Sequence, residues 1–324
     1  MKKLQLSSGD LVADRRADYA EMLAATGDPA AAAELMREAL TLVPHWSGGW
    51  FRLGEMFEAA GRVSDAVDAW REALRLDADD RLGAALKLEL AGAISGLGAV
   101  PSRFVETLFD QYADEFDRSL VERLGYSVPQ RLAEAIAATG QASFAHAVDL
   151  GCGTGLMGER LRVMSSYLEG RDISAKMLVK AAAKGIYDAL ERGDLQTLEP
   201  PAGKVDLVTA ADVFLYVGRL ERVFATVAGM LLPGGVFAFS VERHDGAEDL
   251  VLRPSRRYAH SEAHIRELLR VNGFDLAGME NAVLRFDRGE PIEGLIVVAV
   301  RRAANAVVDV PLPVERDEAV QALH

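Results

Sequence analysis

The stretch AVDLGCGTGLMGERL constrains the fold more than any other part of this 324-residue chain. An apolar run ends at Asp149, passes through Gly151, Gly153 and Gly155, and enters a helical pattern. Glycines so placed allow a tight strand-to-helix turn and let a ligand approach the backbone, as in the first βα connection of an open parallel sheet. The chain then keeps to the same grammar. Short apolar runs, HAVDL, SYLEGRDI, KVDLVTAA and GGVFAFSVE, alternate with helices that begin near Gly155, Ser174, Arg219 and Ser261. This predicts βαβ units and a doubly wound α/β sheet. GLIVVAVRR, behind the turn-rich RFDRGEPIEG, predicts the closing strand of a hairpin.

Upstream the chain repeats itself. Ala32, Met36 and Ala39 recur 34 residues later as Ala66, Trp70 and Ala73. Trp50, Leu53, Gly54, Phe57, Ala66, Trp70 and Ala73 then fit W-x2-L-G-x2-Y…A-x3-F…A, with Pro44 closing the preceding unit. The pattern resembles the tetratricopeptide repeat. Its small residues let antiparallel helices approach while its large ones fill the next unit's groove. Two units, the first degenerate, plus a capping-like helix over residues 81–93 fall short of the usual three repeats, so the module is expected to lean on the rest of the chain. It serves either packing and dimerisation or a protein partner. ISGLGAVP marks a linker. The expected division is residues 1–98 for the small all-α repeat module, 99–140 for linker and helical lid, 141–302 for the α/β domain, and 303–324 for a loosely attached tail. Within the lid, Phe109, Tyr112, Phe116 and Leu120 recur at near-helical intervals on one side.

Charge and composition exclude several classes. With 36 Lys and Arg against 49 Asp and Glu, the net charge of -13 argues against a nucleic-acid partner, whose phosphates demand cations. No apolar run reaches the roughly 20 residues that span a bilayer, and the opening MKKLQLSSGD lacks the apolar block of a signal peptide. The single cysteine, Cys152, cannot form an intramolecular disulfide and reads as a packing residue. A cytoplasmic protein is expected, with no metal site.

Gly151, Gly153 and Gly158 formally satisfy G-x-G-x-x-G and suit a dinucleotide equally well. Asp149 tips the balance. A carboxylate at the strand's end repels a pyrophosphate and attracts a cationic sulfonium amino acid. VDLGCGTG, together with the acids and the LPGG turn downstream of it, resembles the first motif of class I S-adenosylmethionine-dependent methyltransferases in its expected setting. The repeats, FDQYADEFD and this domain together are similar to predicted tetratricopeptide-containing methyltransferases, over nearly the whole chain. The resemblance implies a Rossmann-like sheet of seven strands, the last antiparallel, and S-adenosyl-L-methionine as cofactor. It places Asp149 and the Gly151, Gly153 and Gly155 turn at the methionine portion, and Asp172 in GRDISAKML at the ribose. Asp194 and Leu195 fall at the adenine, Asp212 near the sulfur, and Pro233, Gly234 and Gly235 before the fifth strand. Tyr112 or Phe116 would close over the methionine end. Local alternatives stand beside these roles: Asp149 or Asp172 as a cap, Asp194 as a turn residue. Arg171 departs from the family's small or apolar residue and is expected to point outward.

Methyl transfer from a sulfonium is an in-line displacement with an activated leaving group, so alignment and exclusion of water matter most. A weakly acidic acceptor needs a base, whereas a carboxylate or neutral amine does not. Tyr216 and His260 are the catalytic candidates. With Arg257 and Tyr258 they are also the acceptor-pocket candidates, weighed against Tyr258 as core and His260 as an ordinary loop residue. The expected function is methylation of a small molecule. A protein methyltransferase recruiting its target through the repeats and a non-catalytic cofactor-binding assembly protein are the rivals, and a nicotinamide oxidoreductase is disfavoured by Asp149.

Overall fold

The computed structural model describes residues 7–114, 116–117, 124–201 and 203–303. Leu120 of the lid pattern and all but the first residue of the expected tail lie outside these. The repeat region forms α1 (Leu11–Ala25), α2 (Pro29–Leu42), α3 (Ser47–Ala59) and α4 (Val63–Leu76), followed by the short α5 (Ala84–Leu90). Asp10 caps α1 by accepting from the amides of Val12 and Ala13, and Asp28 caps α2, where Pro29 supplies a preset φ. The recurring residues Ala32, Met36, Ala39, Ala66, Trp70 and Ala73 are all buried. Gly54 is required by contact: a Cβ there would lie 2.3 Å from the indole nitrogen of Trp70.

After α6 (Ser102–Tyr112) and α7 (Val128–Ala137), the chain alternates β1 (Phe144–Leu150), α8 (Leu156–Leu161), β2 (Ser165–Asp172), α9 (Ala175–Lys184), β3 (Ala189–Arg192) and β4 (Val205–Ala210). Then come α10 (Glu221–Met230), β5 (Leu231–Glu242), the small pair β6 (Leu250–Leu252) and β7 (Tyr258–His260), α11 (Glu262–Val271), β8 (Phe274–Asp287) and β9 (Glu290–Arg301). The main sheet has seven strands in the order β3-β2-β1-β4-β5-β9-β8. β1 to β5 pair in parallel and β9 runs antiparallel to both neighbours.

Strand alternation divides the core. Val148, Leu150, Val208, Phe237 and Phe239 face α10 and α11, while Ala147, Leu168, Leu207 and Val236 face α7 and α8. The strand order reverses direction between β1 and β4, which opens a crevice at their carboxyl ends. A small separate core of Leu86, Val100, Phe104, Val105 and Tyr258 joins α5, the linker, α6 and β7. Among the described residues no helix is long and apolar enough to cross a membrane.

Candidate active site

A cavity of about 750 Å3 opens at that crevice, within the size range of small-molecule sites. Its floor is the β1–α8 turn. Gly151 and Gly153 have φ of 66° and 54°, a region that side chains rarely adopt. A Cβ on Gly153 would meet only Phe116, at 3.9 Å, so this glycine leaves its cavity side open to a ligand. The Gly153 amide donates to Asp172 Oδ2 at 2.9 Å, and the Ser174 amide donates to Oδ1 at 2.8 Å. Burial pushes the Asp172 carboxyl up to about 6 while these hydrogen bonds pull it down. An ionised carboxylate accepts about four hydrogen bonds, so Asp172 keeps room for further donors from the cavity. The cap of α9 is Ser174, not Asp172.

Asp194 and Leu195 line the far wall. Asp194 accepts from Ser102 Oγ at 2.6 Å and from the Gln196 amide at 2.9 Å, and Gln196 Nε2 donates to the Val100 carbonyl at 2.7 Å. The linker out of the repeats is thereby fastened to this wall. The lid contributes Phe109, Tyr112 and Phe116, with Phe109 edge-on to Tyr216 at 5.2 Å and to Phe116 at 5.9 Å. Asp110 accepts from Ser174 Oγ at 2.6 Å, and Asp117 accepts from Thr154 Oγ1, so this segment is pinned to the β1–α8 and β2–α9 loops.

Opposite stand Asp212, Tyr216, Arg257, Arg285, Asp287 and Arg288. Asp212, at φ 55°, donates its amide to Ser240 Oγ at 2.9 Å and pairs with Arg285 at 2.5 Å. Arg285 also pairs with buried Glu242. Burial draws the Arg285 guanidinium down, but the charges of Asp212 and Glu242 more than reverse this and leave it above its ordinary value. Arg257 makes one ionic contact among the described residues, with Asp287 at 3.5 Å.

Several expected positions require correction. Asp149 does not line the cavity: strand alternation turns it toward α7 and α8, where it is fully buried. Its oxygens accept from Tyr187 Oη at 2.7 Å and from Thr209 Oγ1 at 2.8 Å, Thr209 being its neighbour in register on β4. Burial pushes it up to about 6 against these bonds. Gly155 also lies off the cavity wall, where its φ of 95° starts α8 beneath the Tyr187 ring. Gly158 has the same purpose, since a Cβ there would lie 2.2 Å from Tyr187 Oη.

Tyr258 and His260 are likewise absent from the wall. Tyr258 belongs to the small core and donates to Glu89 Oε2 at 3.2 Å. His260 is fully buried on β7 with Nε2 2.7 Å from the Gly218 carbonyl, and burial pushes its pKa down to about 4. Arg171 does not point outward but is buried against Glu169 at 2.6 Å and Glu191 at 3.2 Å. Sequence reasoning missed Tyr187, Arg285 and Ser102. For Tyr187 a signal existed: Gly158 inside a helix and Gly170 inside a strand mark a close approach, and its ring fills both.

This open sheet, with its glycine turn and acids at successive strand ends, has the architecture of a class I methyltransferase. The family model for a methyltransferase domain matches residues 148–239, and that for a tetratricopeptide repeat matches residues 13–56. A malonyl-[acyl-carrier protein] O-methyltransferase of Porphyromonas gingivalis is 26% identical over 202 residues, which are 60% of this chain and 76% of that protein. A trans-aconitate 2-methyltransferase of Deinococcus radiodurans is 36% identical over 113 residues, 34% of this chain and 43% of that protein. A chain from a solved Haloferax volcanii complex of a methyltransferase activator with a putative methyltransferase shares the fold, with a TM-score of 0.50 at 23% identity over 60% of this chain and 98% of that one. The protein is an S-adenosylmethionine-dependent methyltransferase with a tetratricopeptide repeat at its N-terminal side.

Proposed function

We propose that the enzyme methylates a carboxylate oxygen of a small organic acid. The observation that carries this reading is Arg257, a guanidinium in the cavity wall whose one described ion pair, with Asp287, is as long as 3.5 Å, while Tyr216, Glu242 and Asp212 act on its charge from farther off. Five planar donors suited to a carboxylate fork are poorly served by that contact, and an anionic acceptor would complete them. The acceptors for which the Porphyromonas and Deinococcus relatives are named, malonyl and trans-aconitate, are both acids. A carboxylate is already ionised and needs no base, which agrees with a buried His260 held away from the cavity.

In this reading the Gly151–Gly153 turn and Tyr112 hold the methionine portion, Asp172 accepts from the ribose hydroxyls, and Asp194 and Leu195 take the adenine. When bound, the cofactor supplies an activated methyl group. The chain's own contribution is to hold the acceptor oxygen in line through Arg257 and the Tyr216 hydroxyl, and to exclude water beneath Phe109 and Phe116. Asp212, held by Arg285, lines the wall beside the place assigned to the sulfur. We place the reaction in the cytoplasm.

The test supplies methyl-labelled S-adenosylmethionine and a panel of mono-, di- and tricarboxylic acids, phenols and amines. A base-labile ester, lost in Arg257→Ala, is expected. Label confined to a phenol, an amine or a protein target would overturn the acid reading, and a protein target lost on deleting the repeats would put recruitment in its place.

A further inference from the structure

The acceptor-side arginine does not stand on the catalytic sheet. It sits in the β6–β7 hairpin, whose turn is closed by the Arg256 amide donating to the Arg253 carbonyl at 2.8 Å and the Arg253 amide donating to the Arg257 carbonyl at 2.9 Å. Arg256 has φ of 62°, a conformation that a residue with a Cβ keeps only when its surroundings compensate. The compensation comes from the repeats and the lid. Arg256 Nη1 donates to the Leu82 carbonyl at 3.0 Å, and its guanidinium lies 4.8 Å from the centre of the Phe104 ring and 5.9 Å from that of Phe51. Leu82 precedes α5, Phe51 is on α3 and Phe104 is on α6.

On the other side of Arg257, Tyr258 donates to Glu89 Oε2 at 3.2 Å, and the second oxygen of Glu89 accepts the Leu97 amide at 3.1 Å. The two neighbours of Arg257 therefore point into the helical module while Arg257 lines the cavity. We propose that the tetratricopeptide module is an internal support for the acceptor site, with Arg256 as the positioning residue that fixes Arg257 at the cavity wall. Two repeats offer little concave surface to a partner, yet together with α5 and α6 they supply a carbonyl, two ring faces and a carboxylate to one short hairpin. The proposal rests on the acid-acceptor reading only in naming what Arg257 holds. The support itself is independent of it.

Arg256→Gly tests this cleanly, because glycine accepts the turn's positive φ while removing the grip on the repeats. Arg256→Lys keeps a cation that can reach the Leu82 carbonyl and the rings. In Arg256→Gly, amide hydrogen exchange over residues 250–260 is expected to accelerate while that of β1 and β4 stays as in the parent. With an acid the parent methylates, KM for the acid should rise about tenfold or more with kcat changed far less, since small misplacements of a binding group are costly. Calorimetric affinity for S-adenosylmethionine should be unchanged, and Arg256→Lys should restore most of the KM. Unchanged exchange and KM in Arg256→Gly would overturn the proposal, as would an equal loss of cofactor affinity and acid affinity. If the parent esterifies no acid, the acceptor reading fails by itself and the exchange measurement still decides the support.

Discussion

Arg285→Met puts the electrostatics of the acceptor side to a quantitative test. Arg285 is 3% exposed and serves two carboxylates, Asp212 at 12% and Glu242 at 1% exposure. Methionine keeps an unbranched apolar stem, ends short of the guanidinium and loses every donor. Glu242 would retain only Arg253 at 3.6 Å among its described ionic contacts, and Asp212 would retain none. Removing one partner of a buried pair costs roughly 3–5 kcal/mol, and the partial exposure of Asp212 with the residual Arg253 contact places this case near 3 kcal/mol. With a urea slope of about 1–3 kcal/mol/M, the midpoint should fall by at least ~1 M.

Far-UV circular dichroism follows the whole fold, while all three tryptophans, Trp46, Trp50 and Trp70, belong to the repeats and report them separately. Arg285→Met combined with Asp212→Asn and Glu242→Gln should regain most of the loss. A deficit below about 1 kcal/mol would refute the reasoning.

Three other measurements bear on particular contacts. Tyr187→Phe deletes one of the two side-chain donors to buried Asp149 and should cost about 1.5–3 kcal/mol in urea unfolding at pH 8, less at pH 5 where Asp149, already at about 6, is protonated; equal losses would contradict this. Because the Asp172 carboxyl sits at about 6 and must be ionised to accept from ribose hydroxyls, S-adenosylmethionine affinity should be flat above pH 7 and weaken toward tenfold per pH unit well below 6. Calorimetry checks it, and a slope surviving in Asp172→Asn would assign the proton elsewhere. Gly54→Ala forces a Cβ within 2.3 Å of Trp70 and should destabilise the repeats by about 1–3 kcal/mol, seen as a shifted tryptophan-fluorescence transition.

How far each feature could be read in the sequence depends on how local it is. The parallel strands and the 34-residue period are short-range patterns, and both the β1–β5 run and the paired helices α1–α4 match them. β8 was hidden because FDLAGMENAVLRFD is an edge strand with one largely solvent-facing side, so polar residues break its alternation. The part played by Arg285 was hidden because its partners, Asp212 and Glu242, are 73 and 43 residues away and meet it only through the sheet's register. Asp149 shows the opposite failure. Its place at the end of β1 was legible, but whether it faces the cavity depends on strand parity, which sends it to Tyr187 and Thr209 instead.

The same distinction explains why the strand-end residues of the cavity were legible as a set, while on the opposite wall Tyr216 and Arg257 were legible and Arg285 was not. Gly151, Gly153, Asp172, Asp194 and Asp212 each follow or end a strand of one sheet, so a pattern along the chain is also a pattern in space. Arg257, Arg285 and Arg288 come from two hairpins that follow the parallel strands, and the hairpin of Arg257 is held through Arg256 to the Leu82 carbonyl and through Tyr258 to Glu89 on α5. A fold whose cofactor contacts are set by the sheet can change its acceptor by altering only those hairpins and what props them. If the repeats support the Arg257 hairpin as proposed, their removal should weaken acid binding more than donor binding, even though the linker also fastens to the Asp194 wall.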